Sequence, residues 1–428
     1  SWNAWVDECW DDDGGRACGC WDVEWRGVEL EWSWDEYGND VEWRIAKLGK
    51  SSAGSTTVSS GGVLELQGSI TVSGEALVLN GTGVSSGGAL RSISGTNVWG
   101  GLVTLGSASR INSDADVLTV SGSVVVGGYG LSVGGAGDVV LGGVVGGGAG
   151  GLTKDGVGTL NLNGANTFSG ATVVNGGTVN ALSGALGATS SIAVNGARLN
   201  AVNYNSAAGL SVDGSGTAIV SGTGLSLSSV SNANVLADSV YFTAASGTIT
   251  LSGLSGVGST RFGSNATING GGISDGIVNV AGLLTSNITG GSVNAGALSA
   301  GTVSGGLTNV TTNGSVNLVS GGVTVLGGAG TLGLMSAGTM TVGGLASVGT
   351  LSGGVLNLNG AGTSTVTTLS GGSLNLGSGV VASVSGGTDA GTIVGAGALT
   401  KSGSLTLTLS GANSYAGATL DNQGVLNI

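Results

Sequence analysis

The sequence predicts an all-β chain wound into a parallel β-solenoid, and three observations predict it. Gly accounts for 91 of 428 residues and Pro for none. Val, Leu, Ile and Thr alternate with polar residues in short runs, as strand residues do. Those runs recur at a nearly fixed interval, and a period of that size marks stacked coils. A Gly/Ser-rich disordered chain would lack the aliphatic residues that bring the hydrophobic share to 40%. Collagen would need Gly at every third position together with Pro.

Residues 1–50 differ from the rest. They hold eight of the nine Trp residues, 13 of the 24 acids and 5 of the 11 bases. Trp21, Val23 and Trp25 alternate with Asp22, Glu24 and Arg26; Val28, Leu30, Trp32 and Trp34 alternate with Glu29, Glu31, Ser33 and Asp35. Tyr37–Asp40 reads as a turn, and Val41, Trp43 and Ile45 open a third strand. The expectation is a small antiparallel meander with a Trp-rich face, acting as an N-terminal cap. That face suits packing on the first coil, a neighbouring chain, or a sugar ring. Cys9, Cys18 and Cys20 lie within twelve residues. Without His or a C-x₂-C pair they do not suit zinc, so a local disulfide from Cys9 is expected, with one thiol left over. Asp11–Gly14 lacks the spacing of a calcium loop and reads as a solvated acidic turn.

The second region, 51–428, repeats itself. The second glycines of its turns, Gly291, Gly306, Gly322, Gly338, Gly354, Gly372 and Gly387, are 15, 16, 16, 16, 18 and 15 residues apart. Each is followed by an alternation such as Val355-Leu356-Asn357-Leu358. Three strands of three to five residues would fill one coil. On the order of twenty coils would then stack at roughly 4.8 Å each. Helices are not expected at this Gly density.

One segment is more specific. Leu152–Ala181 and Leu399–Ile428 match at 16 of 30 positions without a gap, sharing Leu-Thr-Lys, Gly-Ala-Asn and Gly-Ala-Thr and pairing Phe168 with Tyr415. The segment resembles the passenger-associated transport repeat of bacterial autotransporters. The resemblance implies a right-handed parallel β-helix on the cell surface or outside the cell. It also implies a membrane β-barrel C-terminal to the repeat, whereas this sequence runs to Ile428 in strand-like residues. Passengers of this type include adhesins, toxins and enzymes, so the resemblance leaves the biochemical role open. The chain opens at Ser1 without Met, as a mature chain would after signal removal.

Little in the sequence suits catalysis. With His absent, Ser-His-Asp and Cys-His sites are excluded. Asp114 and Asp116, near Arg110, are the one close carboxylate pair beyond residue 51; at i, i+2 on a strand they would share a face, a reading weighed against a solvated loop between coils. Gly146, Gly148 and Gly151 fit a dinucleotide fingerprint only by chance, because a β repeat follows. Thr339/Thr341 and Thr406/Thr408 are too isolated to suggest ice binding. The sequons at Asn80, Asn265 and Asn287 carry little weight in so Asn- and Thr-rich a chain. No catalytic residue, cofactor or metal is expected, nor a nucleic-acid partner, since no basic patch exists. No apolar run is long enough to span a membrane.

The expected function is therefore a non-enzymatic extracellular filament subunit. The terminal strand Val425, Leu426 and Ile428 would be covered by the Trp-rich region (Trp21, Trp25, Trp32, Trp34 and Trp43) of the next copy. The alternative is a monomeric adhesin stalk gripping a host surface or glycan.

Overall fold

The computed structural model describes residues 55–428 except 205–207, 214, 224–225, 228–229, 233–239, 247 and 252–253, together with the backbone of three earlier strands. Those strands, Val23–Trp25, Val28–Trp34 and Val41–Leu48, pair antiparallel in order, and the third pairs in parallel with Val63–Gln67. Their side chains lie outside the described residues. So do the expected Trp-rich cap and its disulfide. Thereafter the pairing among the described strands is parallel throughout, and the chain is an all-β parallel β-solenoid of about 18 turns. One 3-10 turn, Val84–Ser86, is the only helical element among the described residues.

The chain divides into two units, 1–221 and 222–428. In the first, inward side chains stack rung on rung. Val72, Trp99, Val120, Leu141 and Leu162 are successive partners in one ladder, and all are buried. The cause is the pleat: alternate residues face opposite sides of a strand, so one aliphatic position per coil builds a continuous interior column. At roughly 25 cal/mol per Å² of apolar surface removed from water, each such column is a main source of stability.

The second unit is more regular. Val280, Ala295, Val310, Leu326, Val342, Leu358 and Leu376 form one buried column. The predicted turn glycines precede the strands beside it. Gly291, Gly306, Gly322, Gly338, Gly354 and Gly372 all adopt φ between 69° and 85°. Two constraints fix them: a left-handed conformation, and close stacking of turns. A Cβ on Gly322 would lie 2.6 Å from the carbonyl oxygen of Gly305 in the preceding coil. The series departs from the sequence spacing at its end. Gly391, whose next residue Thr392 pairs with Ser373, takes the place expected for Gly387, which lies inside the strand Val380–Asp389. The strands also exceed the predicted length. Gly314–Leu326 runs 13 residues, pairing first with Leu298–Val303 and then with Leu307–Val310, so it carries the chain around a bend without losing its ladder.

Candidate functional site

The two matched segments build the same local structure. Leu152–Lys154 and Thr159–Leu162 of the first copy correspond to Ala398–Lys401 and Thr406–Leu409 of the second. Each copy places a lysine in a core column. Lys154 sits between Val133 and Val174, and Lys401 between Val384 and the exposed Asp421. Lys154 is 2% exposed and Lys401 0%. Each ammonium donates to three backbone carbonyls at identical offsets. Lys154 Nζ reaches Asp155 O at 2.5 Å, Gly156 O at 2.9 Å and Gly176 O at 3.2 Å. Lys401 Nζ reaches Ser402 O, Gly403 O and Gln423 O at 2.8, 2.8 and 2.7 Å. Two acceptors belong to the lysine's own turn and the third to the next coil, so the cation ties adjacent turns in register. Burial pushes the Lys154 ammonium down to about 8, opposed by Asp155 and reinforced by Arg110.

Other shared residues also act on the backbone. Asn166 Oδ1 accepts from Val145 N at 2.7 Å, and Asn413 Oδ1 accepts from Ile393 N at 2.8 Å. The aromatic pair differs in environment. Phe168 is 1% exposed, whereas Tyr415 is half-buried and its hydroxyl lies 2.6 Å from Thr419 Oγ1. The same contrast holds along the terminal strands. Val179 and Ala181 of the first copy are 0% and 2% exposed, while of their counterparts Leu426 is half-buried and Ile428 88% exposed.

The carboxylates singled out in the sequence serve the scaffold. Asp114 and Asp116 lie in a bend after the strand Val103–Ser113, so they do not share a strand face. Asp114 Oδ2 pairs with Arg91 at 2.6 Å, and its other oxygen accepts from Asn112 at 2.7 Å. Asp116, at φ 57°, accepts from Gly95 N at 2.7 Å. Arg91 also meets buried Glu65, and Arg110 forms a bidentate pair with Asp155 at 2.6 Å. Glu65, Arg91, Asn112 and Gly134 are consecutive rungs of one outward column, and Asp155 follows the strand of the next coil. Gly134 leaves the slot that the Arg110–Asp155 pair crosses, since a Cβ there would overlap both groups. The Glu65–Arg91 and Arg91–Asp114 pairs join successive coils, and the Arg110–Asp155 pair spans the coil between its two partners. Among the described residues no cluster of three or more His, Cys, Asp or Glu could hold a metal.

Besides the inward lysines, sequence reasoning missed two features. Asp389 is wholly buried. Its Oδ1 accepts from Gly391 N at 2.9 Å, Oδ2 has no partner, and burial raises its pKa. The outward columns are equally regular: Asn180 bridges Asn161 and Asn200 at 2.9 and 2.7 Å, and in the second unit one column carries only hydroxyls (below).

The fold and the repeat geometry define a class: a parallel β-solenoid whose two related coils each carry a carbonyl-held lysine. The passenger-associated-transport-repeat family model matches residues 152–181 and 399–428. The chain carries two such repeats within a β-solenoid, as an autotransporter passenger does. No curated protein and no solved structure matches the chain. The family implies export to the cell surface or beyond, and among the described residues no helix is long and apolar enough to cross a membrane.

Proposed function

We propose that the chain is a non-enzymatic, exported structural passenger that assembles end to end, the coil at 414–427 of one copy accepting the N-terminal strands of the next. One observation carries this reading. Leu426 is half-buried and Ile428 88% exposed, where their counterparts in the first repeat, Val179 and Ala181, are buried beneath further turns. An exposed parallel edge with apolar residues is a template for another strand. Because the contact is heterologous, its repetition gives an open filament. The paired backbone of Val41–Leu48 and Val63–Gln67 supports the N-terminal strands as the partner.

The test is electron microscopy and sedimentation of the purified chain at neutral pH, with and without reductant. Uniform fibres are expected, lost in Val425→Lys and after deletion of residues 1–50. Monodisperse single particles would overturn the proposal, as would fibres that persist in both variants. Loss under reductant would place the odd cysteine at the joint.

A further inference from the structure

The second unit carries a column of ten outward hydroxyls without interruption. Thr250, Thr267, Thr285, Ser299, Ser315 and Thr331 are successive ladder partners, and the series continues through Ser347, Thr365, Ser383 and Thr400. All ten are half-buried or exposed. Coil stacking spaces them roughly 4.8 Å apart, about the advance of one pyranose unit along an extended glycan. Two residues further along each strand the side chains are small or carboxamides: Asn269, Asn287, Gly301, Asn317, Gly333 and Gly349. Between the two rows lies an open trough of about 260 Å³, lined by Thr285, Ser299 and Ser315 with Asn269, Asn287 and Asn317. Gly301 keeps its floor low, because a Cβ there would come within 2.7 Å of Asn287 Oδ1. Asn287 is held by accepting from Thr302 N at 2.9 Å. The hydroxyls of Thr285, Ser299 and Ser315 and the carboxamide of Asn317 make no hydrogen bond to the protein among the described residues. Charge is absent over a long stretch: residues 276–388 contain no Asp, Glu, Lys, Arg, Cys or Tyr.

The geometry points to this trough as a binding site for a neutral polysaccharide lying along the solenoid axis. Its lining offers donors and acceptors together, which sugar hydroxyls need and which anions and cations do not. With no charge to steer or hold them, nucleic acid and sulfated glycans are poor ligands. A concave trough also fits a chain molecule better than a flat lattice of water. The site does not depend on end-to-end assembly.

The test is affinity electrophoresis of the full chain through gels containing laminarin, mannan or hydroxyethyl cellulose, with heparin as the acidic control. At least one neutral polysaccharide should retard the chain and heparin should not. The double variant Ser299→Val/Ser315→Val keeps strand-compatible side chains. It should weaken binding about tenfold through two lost hydrogen bonds. Thr341→Val, on a different column, should bind as wild type, and circular dichroism would check that all three remain folded. No retardation by any neutral polysaccharide overturns the assignment, as does equal binding by the double variant or retardation by heparin alone. Ice shaping or thermal hysteresis by the wild type, without glycan binding, would give the hydroxyl column to water and overturn it too.

Discussion

Replacing Lys154 with Met separates the electrostatic cost of the buried ammonium from what it holds. The native ammonium titrates at about 8 against an ordinary 10.5. Between those values the unfolded chain keeps a proton that the folded chain has released, so stability rises as pH rises through the window. The whole shift is worth about 3 kcal/mol against the charged form. Three carbonyls lose their donor in Lys154→Met, at about 1 kcal/mol each. The two terms nearly cancel at pH 7, and the variant should lie within about 1 kcal/mol of wild type, as expected when a buried charge is replaced by an apolar side chain of similar size. At pH 9.5 the wild type should have gained about 2 kcal/mol over the variant, from some one and a half pH units of the window. Urea denaturation of both proteins at pH 7 and 9.5 measures this, and the difference between them removes all other titrations. Parallel pH curves would refute the claim that burial penalises this cation. A loss of 3 kcal/mol or more at pH 7 would refute the cancellation and make the carbonyl cage dominant.

Asp389→Asn should stabilise the second unit by about 1 kcal/mol at pH 7, because a buried carboxylate oxygen without a partner is costly. The native pKa is raised, so the wild type recovers as pH falls, and the gap between the two melting curves should close in acid. Thr308 and Thr324 are adjacent rungs of one core column, both 0% exposed with unpartnered hydroxyls. Thr324→Val should gain about 1 kcal/mol in urea denaturation. Trp99→Ala empties the largest wholly buried side chain among the described residues and should cost about 3–5 kcal/mol by the same measure. Gly134→Ala should break the Arg110–Asp155 pair, visible as loss of the salt dependence of stability that Asp155→Asn also removes.

How much of this was legible in the sequence depends on whether coil register was needed. The turn glycines stood out because φ and the carbonyls of the preceding coil both forbid a side chain, so Gly recurs and can be counted. The series misplaced its last member because Gly387 falls nearly at the right interval but inside a strand. Lys154 and Lys401 were visible only as letters of a motif. Lysine is rarely buried, so nothing prompted an inward reading. The available signal was the period-two alternation from Leu152 to Lys154, which puts both on the core side. Asp114 and Asp116 seemed to share a strand face because their spacing is two, and the bend after Ser113 cancels that argument. The hydroxyl column was illegible for a plainer reason. Its members are spaced from 14 residues, between Thr285 and Ser299, to 18, so no fixed period finds them. Only the pairing brings them into line.

The proposed end contact and the proposed trough lie on different surfaces of the second unit, and this makes them separable. Val425 is at a strand edge facing along the stack, while Ser299 and Ser315 face sideways more than a hundred residues earlier in the chain. Sites that share no partner act additively, so Val425→Lys should abolish fibres and leave the affinity of a single chain for polysaccharide unchanged. Assembly would nevertheless alter binding. A fibre aligns many troughs, and the second contact with one polysaccharide becomes intramolecular, raising apparent affinity by about 10²–10⁴ without any new contact. Wild-type fibres should therefore be retarded at far lower polysaccharide concentration than Val425→Lys monomers, and Ser299→Val/Ser315→Val fibres should lose most of that gain. Equal retardation of fibres and monomers, with fibres confirmed by microscopy in the same sample, would mean that the trough does not engage a continuous chain.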